Sequence, residues 1–280
     1  MRRPFVLPNI ITAFGLACGL YVIFKVNMIG VGIGTYEMLF TSSVVVLIAA
    51  LADVLDGAIA RSVGGESEFG VMFDSLADAV SFGVAPSVLL LKSLSLEAGS
   101  WLSFLAFVVA MLYSICGILR LVRYNVKAAE AKKDELALAA YKKNFTGLPI
   151  PAAACCVISL NLFLNSPYCE SVFSEQSVIK VIILCSAYFF IAGLMISKCK
   201  FMSLKALGFK VDAFIFIFLT VAAAIFILYG IIHHFPLVFI TLFWGYLLLG
   251  CFLTIGRLIA GKKSQTLIDF DPDEDELQEK

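Results

Sequence analysis

Long apolar segments constrain the fold of this chain more than any other feature. Eight stretches are long and apolar enough to cross a bilayer as a helix, which takes about 20 residues. They are residues 9–24, 38–60, 71–91, 101–122, 148–165, 177–197, 212–232 and 235–256. Apolar residues make up 61% of the 280-residue chain, and charged residues make up 15%. A soluble protein of this length could not bury so much apolar surface, so the sequence predicts an all-α, polytopic membrane protein.

The distribution of lysine and arginine predicts how these spans are oriented. If the N-terminus is inside and the chain alternates sides, 18 of the 21 basic residues fall in inside segments. The three on the outside are Lys25, Lys92 and Lys180. Because cytoplasmic segments are enriched in basic residues, we expect both termini in the cytoplasm, with a bacterial-type inner membrane as the location. The net charge of zero argues against a nucleic-acid-binding protein.

Four aspartates lie in or beside the second and third spans: Asp53, Asp56, Asp74 and Asp78. One aspartate at the bilayer centre costs about 2.5–3.5 kcal/mol on insertion scales, so such residues mark functional sites by default. The members of each pair are three or four residues apart and therefore share one face of a helix. Since the connection between the two spans is short, we expect antiparallel neighbouring helices whose carboxylates converge near the cytoplasmic end.

Converging carboxylates repel each other unless cations lie between them. Oxygen-only ligands favour Mg²⁺, Mn²⁺ or Ca²⁺, and four carboxylates are enough for a two-metal site that supports phosphoryl-type displacement. Small residues beside the pairs leave room for a ligand, and Arg61 adds a cation suited to phosphate. Spacing alone favours catalysis over the alternative, a cation-coupled transporter with paired intramembrane aspartates.

These residues form one extended motif, which is DVLDGAIAR from Asp53 to Arg61 and, after eight residues, GVMFDSLAD from Gly70 to Asp78. It resembles the signature of the CDP-alcohol phosphatidyltransferase family at all eight positions of that signature. Members of the family transfer a substituted phosphate from a CDP-linked donor to an alcohol and release CMP. The family core is a bundle of six membrane helices that is usually dimeric, which implies a homodimer here.

The resemblance implies a role for each matched position. Two divalent ions, Mg²⁺ or Mn²⁺, are implied at the four matched aspartates: Asp53, Asp56, Asp74 and Asp78. Asp78 also matches the aspartate proposed to remove the proton from the acceptor hydroxyl. The positions that line the CDP pocket match four further residues: Gly57, Ala60, Arg61 and Gly70.

The extent of the resemblance suggests a division of the chain. It covers about residues 1–210, which we interpret as the catalytic membrane domain. Residues 211–257 are expected to add two spans to the six-helix core. Residues 258–280 are acidic and are expected to form a disordered cytoplasmic tail.

Four flanking segments resemble the membrane-embedded phosphatidylserine synthases of this family. They are PNIIT at 8–12, DSLADAVSFGVAPS at 74–87, RLVRYN at 120–125 and FTGLPIP at 145–151. This resemblance implies transfer of a phosphatidyl group from CDP-diacylglycerol to L-serine. A sibling enzyme that uses glycerol-3-phosphate, inositol or choline remains the nearest alternative.

Candidate residues for binding the acceptor or a phosphate follow from these segments: Ser81, Arg120, Arg123 and Asn125. A guanidinium at the cytoplasmic end of the fourth span suits a carboxylate or a phosphate, although anchoring by snorkelling explains the two arginines equally well. Asn125 also fits a helix end, and Ser81 also fits helix packing. Pro86 is expected to kink the third span.

Overall fold

The computed structural model describes residues 6–30, 35–62, 68–97, 99–131, 147–170, 178–197, 230 and 233–260. These residues form helices and short turns, and no β-strand occurs among them. Six helical stretches within this part of the chain are long and apolar enough to cross a membrane. The predicted all-α, polytopic membrane architecture is therefore confirmed.

The helices are numbered here in chain order. They are α1 (Val6–Met28), α2 (Thr35–Ser62), α3 (Glu68–Asp78), α4 (Ala85–Leu94), α5 (Trp101–Ala131), α6 (Ile150–Leu164), α7 (Pro167–Glu170), α8 (Val178–Ile196) and α9 (Phe235–Ala260). A π-helical segment, Ala79–Val84, joins α3 to α4, and the three together form the third span, Phe69–Leu94.

Six of the eight predicted spans coincide with the long helices. The fifth forms α6, which has only 15 residues. At 1.5 Å per residue such a helix is about 22 Å long, shorter than the roughly 30 Å hydrocarbon layer. The predicted seventh span, 212–232, falls outside the described residues except at Gly230, and so does the predicted tail beyond Ala260.

The chain divides into two compact units. The first comprises residues 1–121 and 149–196, and the second comprises residues 122–148 and 197–280. Within the first unit, α1 packs along α2 and against α3, the π-helical segment and α4. Helix α6 packs against α2, α4 and α8. Within the second unit, Phe235, Phe239 and Phe243 of α9 make successive ring contacts at 5.3 and 5.2 Å between centroids.

Helix α5 shows how side-chain size is sorted in the first unit. Ala106 and Ala110 are buried, whereas Phe104, Phe107 and Met111 are exposed. Small residues at helix interfaces let membrane helices approach closely, while large apolar side chains are compatible with lipid on the outside. This sorting fits an integral membrane protein.

The third span is irregular just before Pro86, where the sequence predicted a kink. Proline has no N–H, so it cannot donate the regular helical bond to the Phe82 carbonyl four residues earlier. Tyr113 of α5 donates to that carbonyl at 3.1 Å. Tyr188 of α8 donates to the Pro86 carbonyl at 2.9 Å. Two other helices thus fix the segment that begins directly after Asp78.

A buried polar chain holds the opposite end of the third span. Asn161 Nδ2 donates to Ser93 Oγ at 2.9 Å, and Asn165 Nδ2 donates to Asn161 Oδ1 at 3.0 Å. Lys180 Nζ donates to Asn165 Oδ1 at 2.6 Å, and the Lys180 side chain is only 3% exposed. These bonds join α4, α6 and α8, so the scaffold is connected at the end away from the aspartates.

Candidate active site

Three aspartates of the motif converge in the structure. Asp53 and Asp56 lie toward the C-terminal end of α2, and Asp74 lies in α3. One carboxylate oxygen from each lies within 4.8 Å of the other two. Asp56 is buried, and the other two are half-buried. The spacing of the two pairs predicts that their carboxylates converge, and these three side chains lie together.

Asp78 lies in the same cleft, one helical turn after Asp74. Its carboxylate interacts electrostatically with Asp53, Asp74 and Asp56. The residues that line this cleft come from α1, α2, α3 and the π-helical segment: Thr12, Gly15, Ala49, Asp53, Asp56, Asp74, Ala77, Asp78, Ser81 and Phe82. The empty space among these side chains, including open solvent, is about 200 Å³.

Helix α1 contributes a polar contact that the sequence analysis missed. Thr12 Oγ1 donates a hydrogen bond to Asp56 Oδ2 at 2.7 Å. In the sequence, the segment that contains Thr12 is distinguished only by its resemblance to a flanking segment of the phosphatidylserine synthases. A threonine in an apolar helix commonly bonds to its own backbone, so no local signal identified a partner 44 residues away.

Ser81 lies in the cleft wall, as its spacing from Asp78 predicts. Its hydroxyl donates to the Gly15 carbonyl of α1 at 3.1 Å. Ser81 also packs against Gly19, where a Cβ would lie 2.7 Å from the Ser81 Cα. These contacts fit helix packing, the alternative to ligand binding for Ser81.

The two arginine candidates have different environments. Arg120 is 9% exposed and interacts electrostatically with Asp53 and Asp78. Arg123 Nη2 donates to the backbone carbonyl of Ser197, the residue that follows α8, at 3.4 Å. Asn125 is half-buried near the end of α5. Arg120 is thus the candidate whose charge acts on the motif aspartates.

The positions matched to a CDP pocket flank the aspartates along the chain. Gly57 follows Asp56 in α2, and Gly70 lies one turn before Asp74 in α3; both are half-buried. Ala60 and Arg61 belong to the last turns of α2, and their side chains fall outside the described part of the chain.

The donor set fits a hard divalent cation. Magnesium and calcium bind oxygen ligands at about 2.0–2.6 Å, so two ligands of one ion lie up to about 4–5 Å apart. The oxygens of Asp53, Asp56 and Asp74 meet this limit. Like-charged carboxylates in a poorly solvated site repel each other, and a cation between them removes that repulsion.

Comparison with known proteins identifies this scaffold. The family profile described as CDP-alcohol phosphatidyltransferase matches residues 5–192. The chain belongs to the CDP-alcohol phosphatidyltransferase family. The match includes every helix that lines the cleft, and it confirms both the resemblance and the prediction of a transferase. Membership of this family favours an enzyme over the transporter alternative.

Several relatives are named CDP-diacylglycerol–serine O-phosphatidyltransferase. One from Helicobacter pylori is 27% identical over 242 residues, which cover 82% of this chain and 91% of the relative. One from Bacillus subtilis is 30% identical over 199 residues, or 71% and 91% of the two chains. One from Methanocaldococcus jannaschii is 33% identical over 147 residues, which are 52% of this chain and 63% of the relative. This last match thus spans less than two thirds of the relative's length.

Proposed function

We propose that this protein is a phosphatidylserine synthase. It transfers the phosphatidyl group of CDP-diacylglycerol to the hydroxyl of L-serine and releases CMP. The observation that carries the proposal is the convergence of Asp53, Asp56 and Asp74, whose oxygens lie within 4.8 Å of one another at signature positions of the family. The names of the relatives support serine as the acceptor.

Two divalent ions, Mg²⁺ or Mn²⁺, are the cofactors that fit this arrangement. The residues that would hold them are Asp53, Asp56, Asp74 and Asp78. When bound, such ions stabilise negative charge on the attacking and leaving oxygens of a phosphoryl displacement. Asp53, Asp56 and Asp74 supply the closest oxygens, so they are the principal ligands in this proposal.

Asp78 acts as the general base. It takes the proton of the serine hydroxyl on a carboxylate oxygen while the serine oxygen forms a bond to the phosphorus that carries diacylglycerol. The bond from this phosphorus to the oxygen of CMP breaks, and CMP leaves with the electron pair. The position of Asp78 in the cleft, one turn beyond the closest group of oxygens, supports this separate role.

Arg120 holds an anionic group of the substrates. The support for this role is its buried guanidinium, whose positive charge interacts electrostatically with Asp53 and Asp78. A planar guanidinium can bind either the serine carboxylate or a donor phosphate through two parallel hydrogen bonds. Four residues line the cytidine diphosphate by analogy with the family: Gly57, Ala60, Arg61 and Gly70.

The proposed setting is a homodimer in a bacterial-type inner membrane. Both termini and the cleft face the cytoplasm, where the basic residues of the sequence concentrate. Serine and CMP then exchange with the cytoplasm, while the acyl chains of the donor remain in the bilayer.

A panel of acceptors tests the proposed reaction. The purified full-length protein is given CDP-diacylglycerol and Mn²⁺ with radiolabelled L-serine, glycerol-3-phosphate, inositol or choline in separate reactions. We expect labelled phospholipid and matching CMP release with serine. A preference for any other acceptor would contradict serine as the substrate while leaving the family chemistry intact.

A further inference from the structure

Thr12 connects α1 to the carboxylate cluster by a buried hydrogen bond. Thr12 is 6% exposed and Asp56 is 5% exposed, and the distance between Thr12 Oγ1 and Asp56 Oδ2 is 2.7 Å. The same hydroxyl oxygen lies 3.1 Å from the Pro8 carbonyl of its own helix. A threonine hydroxyl has one hydrogen, so it donates to one of these acceptors at a time. The bond to the carboxylate is shorter and charge-assisted, and it therefore takes the hydrogen.

We propose that Thr12 is a positioning residue that orients Asp56 for cation binding. The terminal torsion of an aspartate has a broad energy minimum, so an unrestrained carboxylate samples many orientations. The bond from Thr12 restrains this torsion and uses one of about four lone-pair sites of the carboxylate. Partners of this kind around metal ligands typically change metal affinity 10–100-fold when they are removed. The inference rests on the proposed cation site.

The packing of α1 makes Thr12 a fixed donor. One turn after Thr12, the Gly15 carbonyl accepts a hydrogen bond from Ser81. One further turn on, Gly19 lies directly against Ser81. Helix α1 is therefore held against the π-helical segment that follows Asp78, and through Thr12 it also contacts α2. A single helix thus touches both halves of the carboxylate motif.

The chain offers a matched control for this bond. Thr41 of α2 donates to the Glu37 carbonyl of its own helix at 2.8 Å and is absent from the lining of the cleft. Thr12→Val and Thr41→Val each remove a hydroxyl that can bond within its own helix, but only Thr12→Val removes a bond to Asp56. Thr12→Ser keeps the hydroxyl and serves as the conservative variant.

The experiment measures Mn²⁺ binding to the purified full chain without substrates, by titration followed with electron paramagnetic resonance. We expect Thr12→Val to bind Mn²⁺ about 10–100-fold more weakly than the wild type. Thr12→Ser and Thr41→Val should retain the affinity of the wild type. Thr12→Ala against Thr12→Ser gives the same comparison if the valine variant does not fold.

Three outcomes would count against the inference. Equal Mn²⁺ affinity in Thr12→Val and the wild type would overturn the role of Thr12 and leave the proposed reaction standing. Equally weak binding by Thr12→Ser and Thr12→Val would also overturn it, because the serine variant keeps the donor. Absence of Mn²⁺ binding by the wild type would overturn the cation site itself, and with it this role.

Discussion

The four motif aspartates occupy different surroundings although they share one sequence pattern. Asp56 is buried and accepts a hydrogen bond from Thr12, whereas Asp53, Asp74 and Asp78 are half-buried around the cleft. Equal substitutions at these positions should therefore have unequal effects. Loss of Asp53, Asp56 or Asp74 removes one of the three closest oxygens, while loss of Asp78 removes the proposed base.

Asp78→Asn tests the proposed base while the three closest ligand carboxylates stay in place. We expect CMP release to fall by about 10²–10⁴-fold, the usual contribution of a general base, because an amide cannot accept the hydroxyl proton. Mn²⁺ should still bind through Asp53, Asp56 and Asp74, the three closest ligands, although the two-ion site loses its fourth ligand. Glu97→Gln, which neutralises an exposed carboxylate outside the cleft, is the matched control. Substantial CMP release by Asp78→Asn would contradict the proposed base.

Arg120 and Arg123 offer a second comparison within one helix. Arg120→Lys keeps the charge but loses the planar pair of donors, so we expect kcat/KM to fall by about 10²–10³-fold, as when one transition-state donor is lost. Arg123→Lys should have a much smaller effect, because Arg123 bonds to the Ser197 backbone. Steady-state kinetics with both substrates measure the difference. Equal losses in the two variants would contradict the distinct role of Arg120.

The sequence identifies the aspartates as a functional site but does not reveal the contact made by Thr12, and the difference has a physical reason. Charged residues in apolar spans are costly, so Asp53 and Asp74 stand out without any structure. A hydroxyl in a membrane helix costs little, because it can bond to its own backbone. The role of Thr12 depends on how α1 packs against α2, and the local sequence carries no record of that packing.

At the scale of elements, the close approach of α1 to the π-helical segment sets the position of the cleft wall. At Gly19 an added Cβ would lie 2.7 Å from the Ser81 Cα, whereas at Gly15 the nearest atoms would lie 3.9 Å away. A methyl group at position 19 therefore requires α1 or the π-helical segment to shift. The same group at Gly15 meets ordinary van der Waals contacts.

Gly19→Ala and Gly15→Ala test this approach. Both substitutions favour a helix, but only Gly19→Ala overpacks the contact, and overpacking typically costs about 1–3 kcal/mol. We expect a melting temperature several degrees below that of the wild type for Gly19→Ala and no such decrease for Gly15→Ala. Thermal unfolding of the purified proteins in detergent gives the comparison. Equal melting temperatures in the two variants would show that the contact tolerates a methyl group.

The irregular third span makes a separate prediction about Tyr113 and Pro86. Removing the Tyr113 hydroxyl leaves the buried Phe82 carbonyl without this donor, which should cost about 1–3 kcal/mol of unfolding free energy. In a Pro86→Ala background the backbone regains an N–H, so Tyr113→Phe should cost less. A double-mutant cycle of unfolding free energies measures this coupling. Additive effects would contradict the link between the proline and the tyrosine.

The sequence predicts that the third span is irregular but not the form of the irregularity. Pro86 marks the site, because a missing N–H breaks the regular pattern wherever proline occurs in a helix. The π-helical segment depends in addition on donors from α5 and α8, namely Tyr113 and Tyr188. Those partners lie far along the chain, so only the packed structure reveals them.

At the scale of the whole molecule, hydropathy identifies the spans but does not show whether a span is surrounded by other helices or exposed at the protein surface. Helix α6 is as apolar as the others, yet most of its residues are buried by surrounding helices. The span within α5, Trp101–Val126, is also strongly apolar but exposes many large side chains. Both were predicted as equivalent spans, because apolar residues look alike whether they face lipid or protein. The domain boundary near residue 210 stays a prediction, since it falls outside the described residues.

The proposed reaction joins serine to a phosphatidyl group in the carboxylate cleft with the help of divalent ions. Isotope-labelled L-serine and CDP-diacylglycerol are incubated with the purified protein, and labelled phospholipid and CMP are quantified together by mass spectrometry. We expect one CMP for each labelled phosphatidylserine, with both products abolished by a chelator and restored by Mn²⁺. Labelled phosphatidylserine formed at an undiminished rate without divalent ions, or CMP released without serine incorporation, would contradict it.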